Sequence, residues 1–395
     1  VLTLTGSAGA LGITTGLQFL PILLFSPIAG VIADRFPKRR VIAFTQVTLG
    51  TTAGVLGVLA ITGWVEVWHV YAIAFVFGTG TAIDTPARHS FVNEMVGRAQ
   101  LSNAVGLNSA SFNLGRVIGP AIAGGLIALM GSGVGATGWV ILLNAASYVA
   151  VIASLMRMRP DELFPTPLLP RASGQLRDGI RYVRGRPDIM LVMAVVFCAG
   201  TFGLNFQMTT ALMATDVYGK GAGEYGILGS VLAVGSLAGS LMAARRVESR
   251  QRLVIGAAVV FGLSVTIAGL MPSYLTFAVF LPLCGFSALT LVTAANSFVQ
   301  LAADPQMRGR VVALYMAIFM GGTPVGAPVL GWVAEHFGSR WTLVGGGALT
   351  VIGTLVSAIV LGRRQSVVVT PRMRPRPHLY VGSREVALVT ETVAA

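Results

Sequence analysis

Ser90-Phe91-Val92 and Ser297-Phe298-Val299 are one tripeptide met twice, 207 residues apart. At that same spacing Gly78, Gly115, Gly119, Gly124 and Gly131 each meet another glycine, at Gly285, Gly322, Gly326, Gly331 and Gly338. Nine glycines lie between positions 78 and 131 and five find a partner, where overall glycine content predicts about one. The chain therefore reads as two copies of one unit. Duplication within an apolar chain is the mark of secondary transporters, which hold their substrate where the two halves meet.

Composition says in what solvent the unit sits. With 54% hydrophobic and 11% charged residues, a 395-residue chain has too little polar surface to cover a water-soluble globule, so the bilayer is its solvent. Apolar runs long enough to cross about 30 Å of hydrocarbon as helices occur near 9–32, 41–62, 69–91, 101–130, 138–156, 188–212, 223–244, 253–271, 274–300, 309–334 and 341–362. Helix is required because lipid offers backbone groups no partner, and the short period-2 alternation of a barrel is absent. The expected fold is an all-α polytopic membrane protein of about eleven spans.

A net charge of +13 would suit nucleic acid, but its placement argues otherwise. Lys and Arg crowd every second gap: Arg35, Lys38, Arg39 and Arg40; Arg88 and Arg98; Arg157 to Arg186; Arg245 to Arg252; Arg308 and Arg310; and the tail from Arg363. The alternate gaps hold only Lys220 and Arg340. The positive-inside rule makes the rich gaps cytoplasmic, with the N-terminus outside and the C-terminus inside. An odd span count in a duplicated chain that opens on Val1 leads us to expect one further helix upstream. Nothing basic precedes the first apolar run and no small-residue cleavage pattern closes it, so it does not read as a signal peptide. Cys198 and Cys284 lie within spans and imply neither disulfide nor metal site.

The reading divides the chain into an N-terminal bundle (1–156), a cytoplasmic linker (157–187), a C-terminal bundle (188–362) and a basic disordered tail (363–395). The linker opens with Pro160, Pro165, Pro167 and Pro170, then spaces Leu176, Ile180 and Val183 on one helical face. That pattern suits either a helix lying on an anionic inner leaflet or an exposed connecting helix. In the tail, Pro371, Pro375 and Pro377 among arginines oppose packing and suit acidic lipid nearby.

The gap after the first run reads Gly30-Val31-Ile32-Ala33-Asp34-Arg35-Phe36-Pro37-Lys38-Arg39-Arg40. It resembles the loop signature of the major facilitator superfamily, which lies between that family's second and third helices. The resemblance implies two six-helix pseudo-symmetric bundles, the first helix lying before this chain. It also implies a gate in which Asp34, with Gly30, Arg35, Lys38, Arg39 and Arg40 about it, faces the N-terminal end of a helix of the other half, where the dipole favours a carboxylate. Pro37 departs from the family's glycine, and a plain basic stop after a span is the rival reading. In the fourth run Gly106, Gly115, Gly119 and Pro120 resemble the glycine-proline pattern of the family's antiporters, with Ala123-Gly124 replacing the paired glycine. Gly115 and Gly119 are one turn apart, so close helix packing explains them equally.

Arg116 stands near the middle of that run, where an unpaired guanidinium costs several kcal/mol or more, and its repeat partner is Thr323. Phe112 and Asn113 share its face, and Asn205, deep in the sixth run, completes the expected cavity wall. Arg116 reads either as a contact for substrate or coupling ion, or as half of a structural ion pair. Asp84 precedes Arg88 by four residues. The pair reads as a structural latch if it stays closed, or as a proton carrier if it opens and desolvation raises the carboxyl pKa.

Asp84-Thr85-Pro86-Ala87-Arg88, Asn296-Ser297-Phe298-Val299-Gln300 and Arg308-Gly309-Arg310 resemble the superfamily branch of siderophore exporters and macrolide efflux pumps. That likeness implies a monomeric exporter of a small amphipathic molecule in a bacterial inner membrane, exchanging it for protons and using no cofactor. An uptake carrier, or a receptor on a transporter fold, is the alternative. A membrane enzyme would need converging His, Asp, Glu or Cys residues at membrane depth. His69, His89, His336 and His378 are scattered, and neither HExxH nor a glycine-rich phosphate loop occurs.

Overall fold

The computed structural model describes residues 1–97, 100–164, 175–244, 250–364, 367–372 and 378–383. A four-residue helix α1 (Leu2–Thr5) leads into α2 (Ala8–Arg35), α3 (Lys38–Thr62), α4 (Val67–Met95), α5 (Leu101–Leu129) and α6 (Val134–Arg157). The linker holds α7 (Gln175–Arg184); the second half follows as α8 (Pro187–Cys198), α9 (Phe206–Leu212), α10 (Ala222–Ala244), α11 (Gln251–Gly269), α12 (Tyr274–Ala302), α13 (Arg308–Phe337) and α14 (Arg340–Arg364). Among the described residues ten stretches are long and apolar enough to span a bilayer, α8 and α9 forming one of them as Pro187–Val217. The eleventh expected span, α4, is equally long but more polar, with His69 and Asp84 inside it.

Local chemistry explains where the rods begin and end. Ser7 caps α2 by accepting the Ala10 N–H, Ser273 and Thr276 form a capping box on α12, and Gly63 closes α3 at φ 76°, the left-handed conformation that glycine adopts without strain. Pro86, Pro120, Pro282, Pro324 and Pro328 lie inside helices that continue past them, as proline does in membrane spans. Consecutive helices run antiparallel, so the basic gaps gather at one end of the bundle, here called the basic end. In the second half, the α8–α9 span is broken by two π-helical turns, Ala199–Gly203 and Met213–Val217, a feature frequent at functional sites.

The main core belongs to the second half, where Ile189, Phe261, Leu281, Leu291 and Tyr315 are fully buried. The linker helix is docked on that half: Val183 joins the core, Asp178 pairs with Arg310 at 3.4 Å, and Arg186 bonds the Asp188 carboxylate and the Ala302 carbonyl. It is thus neither a free connector nor held by lipid alone; the Leu176 side chain lies outside the described residues. The tail, expected without regular structure, forms an antiparallel hairpin of β1 (Val367–Arg372) and β2 (His378–Ser383), with Val369 opposite Val381. The β-branched run Val367-Val368-Val369 supplies the strand preference that the neighbouring prolines obscured.

Candidate functional site

Two helix pairs make most of the contact between the halves, and they are built alike. On one seam α2 meets α13. A Cβ on Gly12 would lie 2.6 Å from the Ala327 carbonyl oxygen, and one on Gly331 would lie 2.9 Å from that of Ala8. On the other seam α10 meets α5, and the same points recur: Gly226 against the Pro120 carbonyl at 2.3 Å, Gly124 against that of Ala222 at 2.4 Å. Gly331 and Ala327 are the partners of Gly124 and Pro120 at the 207-residue spacing. The facing strips carry a repeat of their own, Ala8-Gly9-Ala10-Leu11-Gly12-Ile13 against Ala222-Gly223-Glu224-Tyr225-Gly226-Ile227, at a spacing of 214. Sequence reading missed this second repeat because its spacing is seven residues longer; a search allowing a gap would have found it. Small residues at both seams let backbones touch, which is how helices associate where lipid removes the hydrophobic drive.

The contacts are not spread evenly along the seams. Gly12, Gly124 and Gly226 lie toward the end opposite the basic one, and there backbone meets backbone, while Gly16, a turn further along α2, packs on the Pro328 ring. Toward the basic end Gly106, Gly115 and Gly119 on α5, and Gly309 on α13, have no neighbour within 4 Å. The expected packing motif is corrected accordingly: of Gly106, Gly115, Gly119, Pro120 and Gly124, the last two carry the contact and the first three face open space. The repeat partners of Gly115 and Gly119, Gly322 and Gly326, are packed, against the backbone of Thr201 in the α8–α9 break.

At the closed end Glu335, near the end of α13, accepts the Gly9 N–H at 3.0 Å and the Ser7 hydroxyl proton. Its carboxylate therefore sits on the N-terminus of α2, where unpaired N–H groups and the helix dipole favour negative charge. The signal was an acid at the end of α13 with nothing local to bind, but its partner is 328 residues away in the chain.

Arg116 lies one turn from Pro120 on the face that α5 turns to α10, where the seam begins to part. Its guanidinium carbon is 5.9 Å from the centroid of the Phe112 ring, both side chains are exposed, and no carboxylate partners it among the described residues. Asn113 is half-buried and donates to the Ser109 carbonyl at 2.8 Å. Asn205 does not share that open wall. It is 4% exposed, its Nδ2 donates to the Thr201 carbonyl at 2.8 Å, and its Oδ1, like the Thr201 hydroxyl, has no partner among the described residues. The two residues stand four apart in sequence, at the α8–α9 break.

Asp84 is buried between α3 and α4 and accepts four bonds: Thr45 Oγ1 at 2.7 Å, Gln46 Nε2 at 2.9 Å, and Arg88 Nε and Nη2 at 3.0 and 2.8 Å. The gate loop is anchored equally firmly. Lys38 is buried with Glu94 at 2.5 Å, a pair not anticipated from sequence, and Arg39 donates to the terminal carbonyls of α6 at Leu155 and Met156, at 2.6 and 2.9 Å. Such cation-to-carbonyl contacts satisfy the last turn of a helix. Gly30 and Asp34 stand in the last turns of α2, and the Asp34 side chain lies outside the described residues. No group of three metal-ligating residues occurs among the described residues.

Known proteins place this architecture. The family model described as transmembrane secretion effector matches residues 5–380. Macrolide efflux protein A of Streptococcus pyogenes is 23% identical over 368 residues, covering 90% of this chain and 88% of its own. The enterobactin exporter EntS of Shigella boydii is 25% identical over 364 residues, covering 91% and 81%. The crystal structure of a bacterial homolog of the human lysosomal transporter Spinster, in an inward-facing and occupied conformation, superposes with a TM-score of 0.67 at 17% identity, covering 90% of this chain and 89% of that one. With its paired seams, its apolar spans and a family match over nearly its whole length, the chain belongs to the transmembrane secretion effectors, a family of major facilitator transporters rather than enzymes.

Proposed function

We propose that this protein exports a small amphipathic molecule of anionic or phenolate character across a bacterial inner membrane, by alternating access in exchange for protons, acting as a monomer with the C-terminus in the cytoplasm. The observation that carries the reading is the doubled seam. Two pseudo-equivalent helix pairs close one end and leave the other open, as two rigid halves rocking about a shared interior require. The closed end is then the outer one, by the placement of basic residues. Glu335 on the N-terminus of α2 holds it shut, and Asp34, at the other end of α2, meets the N-terminus of α13 when the basic end closes in its turn.

Arg116 and Phe112 form the substrate wall: an uncompensated cation beside an aromatic face attracts an anionic or phenolate ring system. The efflux relatives named for a macrolide and for enterobactin support export of bulky amphipaths. Asp84 and Arg88, with four bonds already made, act as the latch between α3 and α4.

Replacing Arg116 with Ala abolishes export while the protein still inserts in the membrane in normal amount. Normal export by that variant removes Arg116 from the pathway. The substrate follows from comparing metabolites released by a deletion strain and its parent, under iron limitation and iron sufficiency.

A further inference from the structure

At the basic end of the first half, the α2–α3 turn and the ends of α4 and α6 enclose a cleft of about 710 Å³, within the range that holds a small ligand or a lipid headgroup with its first methylenes. Of the cations that line it, Lys38 is neutralised by Glu94 and Arg39 is committed to the carbonyls that end α6. Arg35 and Arg40 are exposed and meet no carboxylate among the described residues. The rest of the lining is largely apolar: Phe91 and Leu155 are buried at 3% and 5% exposure, Phe36 and Met156 are exposed at 53% and 73%, and Pro160 and Leu163 line it too. Two exposed guanidiniums beside an apolar lining, at the level where the spans end, ask for an amphipathic anion. Water-borne phosphate would answer the charges but leave the apolar lining wet.

We propose that this cleft binds one anionic phospholipid from the surrounding leaflet, its phosphate held between Arg35 and Arg40 and the start of an acyl chain laid over Phe36, Met156 and Leu163. Forked guanidinium donors match phosphate oxygens better than lysine ammonium does. Because Arg35 and Arg40 flank the α2–α3 turn, an occupied cleft ties that turn to the end of α6.

The test uses the purified full chain in neutral detergent, with native mass spectrometry counting adducts and thermal unfolding run beside it. The probes are phosphatidylglycerol, phosphatidylcholine and inorganic phosphate. One phosphatidylglycerol is retained and raises the unfolding temperature, while phosphatidylcholine and inorganic phosphate do neither. The double variant Arg35→Gln/Arg40→Gln weakens retention about thirtyfold, the effect of removing two basic residues near an anionic headgroup. Leu163→Asp, which keeps both cations but spoils the apolar lining, weakens it as well. Arg252→Gln, at the same end of the other half, leaves it unchanged. Equal retention by the double variant, or an equal loss in Arg252→Gln, means a diffuse basic surface and overturns the proposal. Equal protection by inorganic phosphate means a simple anion site and overturns it too. Unliganded unfolding temperatures and monodispersity show that each variant has folded.

Discussion

Replacing Gly124 with Leu wedges the closed end of the α5–α10 seam. A Cβ alone would stand 2.4 Å from the Ala222 carbonyl oxygen and 3.0 Å from the Gly226 Cα, against about 3.4 Å for an ordinary contact. The helices must therefore part by about 1 Å at this level before any of the larger side chain is accommodated. Overpacking of this kind costs about 1–3 kcal/mol, and the cost falls only on the arrangement in which the seam is shut. If that arrangement is in equilibrium with one open at this end, the ratio shifts by about 5- to 150-fold toward the open one. Paired spin labels at Trp64 and Leu270, exposed residues at this end of the two halves, report the change as a longer distance in double electron–electron resonance, in a background freed of Cys198 and Cys284. Gly331→Leu, its pseudo-symmetric counterpart, shifts the distribution the same way, and Gly106→Leu, which meets nothing within 4 Å, does not. Unchanged distances in both seam variants would refute the two-state reasoning.

Glu335→Gln keeps the shape but removes the charge from the N-terminus of α2, so the same labels separate in the same direction and to a smaller extent; raised ionic strength reproduces part of the effect in the wild type. Glu94→Gln leaves the Lys38 ammonium buried without its partner and lowers stability by about 3–5 kcal/mol, read as a fall in unfolding temperature in detergent; Lys38→Met combined with Glu94→Leu recovers most of it. Asp84→Asn, in a protein where Asp84 is the latch, stops both gradient-driven export and substrate exchange without a pH gradient. Survival of exchange alone would assign Asp84 to proton transfer instead.

Much of this protein is legible from its sequence because a bilayer constrains each segment separately. Span length, the alternation of basic gaps and the 207-residue repeat each follow from residues near one another or from simple periodicity, and they suffice for fold class and duplication, while the family followed from the resemblance of residues 30–40 and 84–88 to known motifs. Arg116 was equally visible, since a lone cation within twenty-nine helical residues is unusual whatever its neighbours.

Contacts between segments were not legible. Gly115 and Gly119 carry the same spacing as Gly322 and Gly326, yet only the second pair touches another helix; periodicity says which face is small but not what stands opposite. Asn205 was placed on the cavity wall by its depth, while its true position depends on the π-turns that interrupt its span. The Lys38–Glu94 and Ser7–Glu335 pairs join residues 56 and 328 positions apart, and no local pattern announces either. The sequence alone determined that two like bundles of helices cross a membrane and which end carries positive charge, because burial in lipid acts on each helix by itself. Which small residues touch, which acid caps which helix, and at which end the halves part were decided only by tertiary structure, because those energies exist between helices and depend on how two separate rods are brought together.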